Sequence, residues 1–266
     1  MCGPGGNFPV GLHAKISELE RKIRVGAVSY LNTKPLLYGI ERAECRKDMD
    51  LILDYPARVA QMLINDEIDM GLVPVATIPR LKEAFINSDY CIGTDGEVAS
   101  VCIFSETPIE KVDTVLLDYQ SRTSAALTRV LLKNYWKLSP EIVDGGSEDY
   151  RKKVTGKTAG LVIGDRALEQ RQHSSYIYDL GTIWKQYTGL PFVFAAWISN
   201  KPIDPAFAEA FNKANAIGLN HIDEIVEMYP YPVFDLKYYY THNVDFVLND
   251  EKRSALNRFL SELKAL

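Results

Sequence analysis

A chain of 266 residues that is 47% hydrophobic and 24% charged holds enough apolar material for one large domain or two lobes, which excludes intrinsic disorder. Its formal net charge of −5 excludes nucleic acid and anionic membrane as general partners, because no basic excess exists to displace counterions. No stretch approaches the roughly 18 uncharged apolar residues that a membrane-spanning helix needs.

Residues 1–20 contain no apolar core of a leader and read as an extension ahead of the fold, so a cytoplasmic protein is expected. Lys22 to Ser29 is a β-branched run that reads as a strand. The apolar stretch from Leu36 to Ile40 reads as a helix, with Asn32 or Thr33 as its cap and Pro35 in its first turn. Asp50 to Tyr55 reads as a buried strand. Pro56 opens a helix with Val59, Ala60, Leu63 and Ile64 on one face, and Met70 to Val75 is a third strand. This alternation predicts a parallel sheet with right-handed crossovers.

A second set follows, with strands over Ala99–Ser105, Val112–Asp118 and Ala159–Gly164 and an amphipathic helix over Ser124–Trp136. Phe192 to Ile198 is a strongly apolar strand, and from Pro205 the chain is mostly helical. Tyr229–Tyr240 is aromatic-rich and irregular, and Asn249 or Asp250 caps a final helix with Leu256, Phe259, Leu260 and Leu263 along one side. The expected fold class is therefore α/β in two lobes, parallel-rich sheets flanked by helices with a cleft between them. Residues 21–105 and 197–266 form one lobe, and 106–196 an inserted second one.

Three segments place small polar residues where a strand meets a helix: Ser29-Tyr-Leu-Asn32-Thr33, Ser121-Arg122-Thr123-Ser124, and Ile163-Gly-Asp165. Ligands of open α/β sheets sit beyond the carboxyl ends of strands, and helix N-terminal amides bind anions. Singly, each segment is an ordinary cap; together they point to a carboxylate-binding cleft. Asp165 reads first as an acceptor that shapes its turn and second as a base. A fourth segment, Asp179-Leu-Gly181-x-x-Trp184-x-x-x-Thr188-Gly189-Leu-Pro-Phe-Val-Phe194-Ala-x-Trp197, is expected to bring Thr188 and backbone amides of its Thr-Gly-Leu-Pro turn to the cleft mouth, with Trp184 as packing. His13, His173, His221 and His242 lie outside these segments. The cysteines Cys2, Cys45, Cys91 and Cys102 form no CxxC pair, and no Cys/His cluster has metal-ligand spacing, so scattered reduced thiols are expected, with a disulfide pair as the alternative that an even number leaves open, and no metal site.

Val25-Gly-x-Val-Ser-Tyr-Leu-Asn-Thr-x-Pro-Leu36 resembles the start of the chorismate dehydratase family of the futalosine route to menaquinone. Asp69-x-Gly-Leu-Val-Pro-Val75, Ser100 within Val98–Phe104, Ser121-Arg-Thr-Ser124, Ile163-Gly-Asp165 and Thr188-Gly-Leu-Pro-Phe-Val-Phe194 continue the similarity, which spans residues 22–266. The resemblance implies a two-lobed fold like that of type II periplasmic binding proteins, turned to catalysis. It implies chorismate as the small-molecule substrate, its conversion to 3-[(1-carboxyvinyl)oxy]benzoate by loss of water, and no cofactor. It also implies that Ser29, Asn32, Ser100, Ser121, Thr123, Ser124 and Thr188 line the cleft, with Thr33, Arg122, Asp165 and Gly189 beside them. Asn32 would stand near the departing hydroxyl, and Ser121, Thr123 and Ser124 would hold one carboxylate. Ser100 and Thr188 would hold the other. The alternative is a non-catalytic binding protein for a small carboxylate or aromatic anion.

Overall fold

The computed structural model describes residues 21–266; the expected extension lies outside them. The chain alternates as anticipated at its start: β1 (Ile23–Val28), α1 (Lys34–Arg42), β2 (Met49–Asp54), α2 (Pro56–Ile64) and β3 (Met70–Pro74). β1 pairs in parallel with both β2 and β3, and the end of β1 and all of β3 are buried, as central parallel strands must be. Pro35 and Pro56 sit in the first turns of α1 and α2, where the absent N–H costs no helical bond. Neither Asn32 nor Thr33 caps α1 with its side chain. A 3₁₀ turn over Leu31–Thr33 leads into it, and the Thr33 hydroxyl donates instead to Asn32 Oδ1 at 3.1 Å.

After a 3₁₀ segment at Val75–Arg80 comes β4 (Phe85–Thr94), followed by β5 (Val101–Ser105), β6 (Thr114–Leu117) and α3 (Arg122–Leu131), which continues into a π turn over Leu132–Trp136. Then come β7 (Glu141–Asp144), β8 (Thr158–Ile163), α4 (Asp165–Gln170), β9 (Tyr176–Asp179), α5 (Leu180–Thr188) and β10 (Phe192–Ser199). The chain ends with α6 (Pro205–Leu219), α7 (Ile222–Met228), β11 (Asp245–Val247) and α8 (Asp250–Lys264), whose cap is Asn249, accepting from Lys252 N at 2.9 Å.

Two mixed sheets result. The first runs β11-β4-β10-β3-β1-β2, and the second β7-β6-β8-β5-β9. β10 and β4 enter the first sheet antiparallel, and β5 pairs antiparallel with β8 and β9 in the second. The expected lobe boundaries need correction at both crossings. β5, assigned to the first lobe by a boundary at 105, belongs to the second sheet, and β10, cut by a boundary at 196, lies wholly in the first. The physical reason is that each crossing lies in a loop beside its strand, because a strand must complete its ladder within one sheet.

Cys45, Cys91 and Cys102 are free and buried, and burial raises each thiol above its ordinary pKa, Cys91 to about 12. Such thiols are inert. Cys2 and His13 lie outside the described residues. Trp184 is fully buried and its indole N–H donates to Pro191 O at 3.0 Å, as packing requires.

Candidate active site

Between the two sheets lies a narrow cleft with about 500 Å³ of free space, its mouth included. Its lining is apolar at Val28, Pro56, Pro74, Ile92, Ile163 and Phe194, and polar at Asn32, Thr33, Ser100, Ser121, Thr123 and Ser124. Strand ends and helix starts of both lobes thus converge here, as expected for open α/β sheets.

The polar lining is set up to donate. Ser121 caps α3, its Oγ accepting from Ser124 N at 3.1 Å. Thr123 Oγ1 accepts from Ala76 N at 3.2 Å, and Ser100 Oγ accepts from the Tyr239 hydroxyl at 2.6 Å. Each of these oxygens is engaged as an acceptor, so each hydroxyl proton is left to point elsewhere. Ser124 Oγ and Asn32 Nδ2 have no partner among the described residues, while Asn32 Oδ1 is held by Thr33. The uncapped amides of the first turn of α3, a ten-residue helix, add their dipole to this set. Five neutral side-chain donors and a helix N-terminus in a cleft whose remaining lining is apolar have the chemistry to receive a carboxylate on an apolar skeleton.

Among the lining residues only Tyr30 titrates. Burial pushes its phenol well above the usual range, with Asp118 and Asp165 adding to the effect and Arg166 opposing it, and its hydroxyl donates to Gln120 Oε1. The Tyr30 ring lies against Gly164, which has φ +65° and ψ −148°; a Cβ there would fall 2.7 Å from the ring. Gly164 N donates to Ser100 O at 2.8 Å, so the glycine holds the Ser100 turn from one side. From the other side, Asp179 accepts from Val98 N at 3.1 Å and Ala99 N at 2.7 Å while capping α5 through Thr182 N at 3.0 Å. Ala99 sits at φ +60°, a backbone strain located beside Ser100.

Bonds cross the cleft from lobe to lobe. Ala57 N donates to Gln120 O at 3.1 Å, Ala76 N to Thr123, Arg122 to Gln61 Oε1 at 2.9 Å, and Leu31 N to Asp165 Oδ1 at 3.0 Å. This is a closed arrangement. Behind it, the buried Asp118 carboxylate pairs with Arg166 at 2.8 Å and accepts from Tyr150, Ile163 N and Gln120 N.

Of the residues expected at the site, Asn32, Thr33, Ser100, Ser121, Thr123 and Ser124 converge. Ser29 does not: it is exposed, its amide bonded to Asp54 O, and the next residue, Tyr30, takes the cleft position. Thr188 and Gly189 are corrected most clearly. Thr188 Oγ1 donates to Trp184 O and accepts from Leu190 N, and Gly189 at φ +75° ends α5. Both are spent on closing a helix, and it is Phe194 and Ala195, further along, that reach the cleft wall. Arg122 lines a different concavity on another face of α3.

Asp165 does not line the cleft; it bridges the lobes through Leu31. Burial raises its pKa, opposed by the Leu31 amide and the charges of Lys34 and Arg166. A carboxyl with a raised folded pKa favours the fold below its unfolded pKa, and that contribution is lost as pH rises through the folded value. Asp165→Asn keeps an acceptor for Leu31 and removes the buried charge. Thermal melts are expected to show the variant gaining on wild type as pH rises from acid to neutral; equal losses at every pH would refute this. The roles of Tyr30, Gly164, Asp179 and the Asp118–Arg166 pair were not assigned from sequence. Tyr30 and Gly164 stood inside quoted motifs, and Asp179 opens the fourth segment with the signal of an N-cap three residues before Thr182.

Among the described residues, no group of three or more His, Cys, Asp or Glu side chains converges as a metal site would. Among the same residues, no helix is long and apolar enough to cross a membrane.

Known structures share this architecture. An Archaeoglobus fulgidus protein aligns with a TM-score of 0.73 at 13% identity, covering 92% of this chain and 98% of that one. The alkanesulfonate-binding protein from Xanthomonas axonopodis pv. citri bound to MOPS aligns at 0.62 with 11% identity, covering 92% of each chain. A Candida albicans gene product described as having the generic periplasmic binding protein fold aligns at 0.56 with 13% identity, covering 92% of this chain and 90% of that one. The fold is thus the expected periplasmic-binding-protein-like one. In sequence, the chorismate dehydratase of Thermus thermophilus is 26% identical, covering 90% of this chain and 94% of that protein. That of Campylobacter jejuni is 25% identical, covering 91% and 97%. The family model described as menaquinone biosynthesis matches residues 23–265, essentially every residue that builds the two sheets and the cleft, and the chain belongs to that family.

Proposed function

We propose that this protein is a chorismate dehydratase, removing water from chorismate to give 3-[(1-carboxyvinyl)oxy]benzoate on the futalosine route to menaquinone. The observation that carries the reading is the donor set: Ser100, Ser121, Thr123, Ser124 and Asn32 offer hydrogen bonds into an otherwise apolar cleft. Chorismate is a dicarboxylate on a small carbocycle, and two groups of donors suit two carboxylates. Ser121, Thr123 and Ser124 with the α3 amides take one, and Ser100 takes the other. The names of the sequence relatives support the same substrate.

In the reaction, the ring carbon bearing the enolpyruvyl ether loses a proton and its neighbour loses a hydroxyl, leaving an aromatic ring and one water. Among the described residues no carboxylate or imidazole lines the cleft, and the Tyr30 phenol is held in its protonated form, so the base is a carboxylate of the substrate itself, placed by the donors around it. Positioning of this kind supplies about 7–11 kcal/mol of a barrier. Asn32 Nδ2 donates to the departing hydroxyl. Closure of the lobes excludes water and strengthens each of these bonds.

Incubation with chorismate followed by chromatography and mass spectrometry tests the activity: an aromatic product lighter by one water is expected. Chorismate bound but unchanged would leave the protein as a binder of carboxylates. Asn32→Ala is expected to lower turnover about 10²-fold; undiminished turnover removes Asn32 from the mechanism. A pH–rate break that vanishes in Asp165→Asn would instead assign the base to the protein.

A further inference from the structure

The helix that supplies the cleft donors has a second functional face. Arg122, Ala125, Ala126 and Arg129 recur at helical spacing and line a second concavity, which shares Ser121 with the cleft and has about 990 Å³ of free space, its open mouth included. Arg80, at the end of the 3₁₀ segment that follows β3, lines it from the first lobe. Three guanidinium groups thus share one hollow in a protein whose net charge is −5.

None of the three pairs with a carboxylate among the described residues. Two side-chain carboxylates also line the hollow, and so does Leu266, the last described residue. Asp118 is committed to Arg166, and Asp144 is exposed and joined to neither Arg80, Arg122 nor Arg129. Arg122 is the telling residue. Its Nη2 donates to Gln61, while its Nη1 is buried without an acceptor. Burial and the neighbouring charge of Arg80 both lower its pKa, and no carboxylate among the described residues pairs with it. Half-buried Arg122 thus keeps a hydrogen-bonding direction that no described group fills, beside two more arginines lining the same hollow.

We propose that Arg80, Arg122 and Arg129 form a second anion site, outside the catalytic cleft, for a small multivalent oxyanion: a phosphate ester or a polycarboxylate. Arg80 belongs to the first lobe and Arg122 and Arg129 to the second, so an anion held by all three bridges the lobes in the closed arrangement. Ser121, Thr123 and Ser124 lie in the same first turn of α3, so closing the hollow also steadies the donor set. By linkage, an anion that favours the closed state raises the affinity of the cleft for its own ligand.

The test is calorimetric titration of the full chain with pyrophosphate and with citrate at low ionic strength, on wild type and on the Arg80→Gln/Arg129→Gln double variant. The guanidiniums of Arg80 and Arg129 make no hydrogen bonds among the described residues, so the variant is expected to fold, as circular dichroism will show. Saturable one-to-one binding, weakened at least tenfold in the variant, supports the site, and the preferred probe identifies phosphate or carboxylate as the source. Binding of neither probe, or equal binding by the variant, overturns it. The coupling rests on the dehydratase reading and is measured separately: saturating probe is expected to lower KM for chorismate in wild type alone. An unchanged KM with intact binding overturns the coupling and leaves the site; absent turnover is a failure of the dehydratase reading only.

Discussion

Asp118→Ala is expected to destabilise the protein by about 3–5 kcal/mol, the cost of breaking a buried ion pair from one side. Asp118 is 2% exposed and gathers four donors: Arg166 Nη2 at 2.8 Å, Tyr150 Oη at 3.0 Å, Ile163 N at 3.1 Å and Gln120 N at 3.0 Å. Burial by itself would lower the Arg166 pKa, and the carboxylate of Asp118, with Tyr30 and Tyr150 beside it, more than reverses this. Alanine therefore takes from Arg166 its buried carboxylate, leaving it Glu148 at 3.0 Å and Gln120 Oε1, and orphans an amide at the end of β8. It also frees Gln120, whose side chain receives Tyr30 and whose carbonyl receives Ala57 from the other lobe. Urea unfolding midpoints measure the loss. The double variant Asp118→Leu/Arg166→Met is expected to recover much of it, because replacing both charges removes the penalty along with the attraction. If the single variant unfolds within about 1 kcal/mol of wild type, the pair contributes no more than an exposed one. The solvated Lys152–Asp149 pair is the internal control, and its removal is expected to have no measurable effect.

Gly164→Val is expected to cost activity far more than stability. The backbone at φ +65° and ψ −148° is a region in which side chains other than glycine cost about 1–3 kcal/mol. The larger effect is local. The new Cβ would lie 2.7 Å from the Tyr30 ring, so Tyr30 must leave the cleft wall and release Gln120, or Gly164 must move and release its 2.8 Å bond to Ser100 O. Either path displaces a part of the donor set, and a displacement near 1 Å costs about 10²-fold in rate. Turnover of chorismate and unfolding midpoints are measured together. Normal kcat/KM in a folded variant would show that neither Tyr30 nor the Ser100 turn positions the substrate.

The elements legible from sequence are those whose signal is local. β1, β3, β8 and β10 are short apolar runs with little polar interruption, α2 and α8 repeat an apolar stripe, and Pro35, Pro56 and Asn249 mark helix starts by their own chemistry. β4 escaped notice because Asn87-Ser88-Asp89 interrupts it and its bonding partners are β10 and β11, more than a hundred residues away. β7 and β9 are four-residue edge strands of the second sheet, half solvated and without a clear period.

The site divides along the same line. Segments that end a strand and begin a helix could be found from sequence, since hydroxyl and amide residues cluster there, and Asn32, Ser100, Ser121, Thr123 and Ser124 do meet in one cleft. The direction of each side chain could not. Ser29 and Tyr30 are adjacent, yet only the tyrosine faces the cleft, because successive residues leaving a strand point opposite ways. Thr188-Gly189 looks like a ligand-binding turn until α5 is seen to end there and claim both residues. Arg122 shares a turn with the cleft hydroxyls but projects from another face of α3. The sequence by itself determined the local elements, the polar loops and the family; the tertiary structure decided which loops meet, which face of each helix looks into the cleft, and that Asp118, Tyr150, Ile163 and Arg166 form one buried network. The reason is physical: propensity and capping act over three or four residues, whereas burial of a charge and closure of a cleft depend on partners that only the packed sheets bring within hydrogen-bond reach.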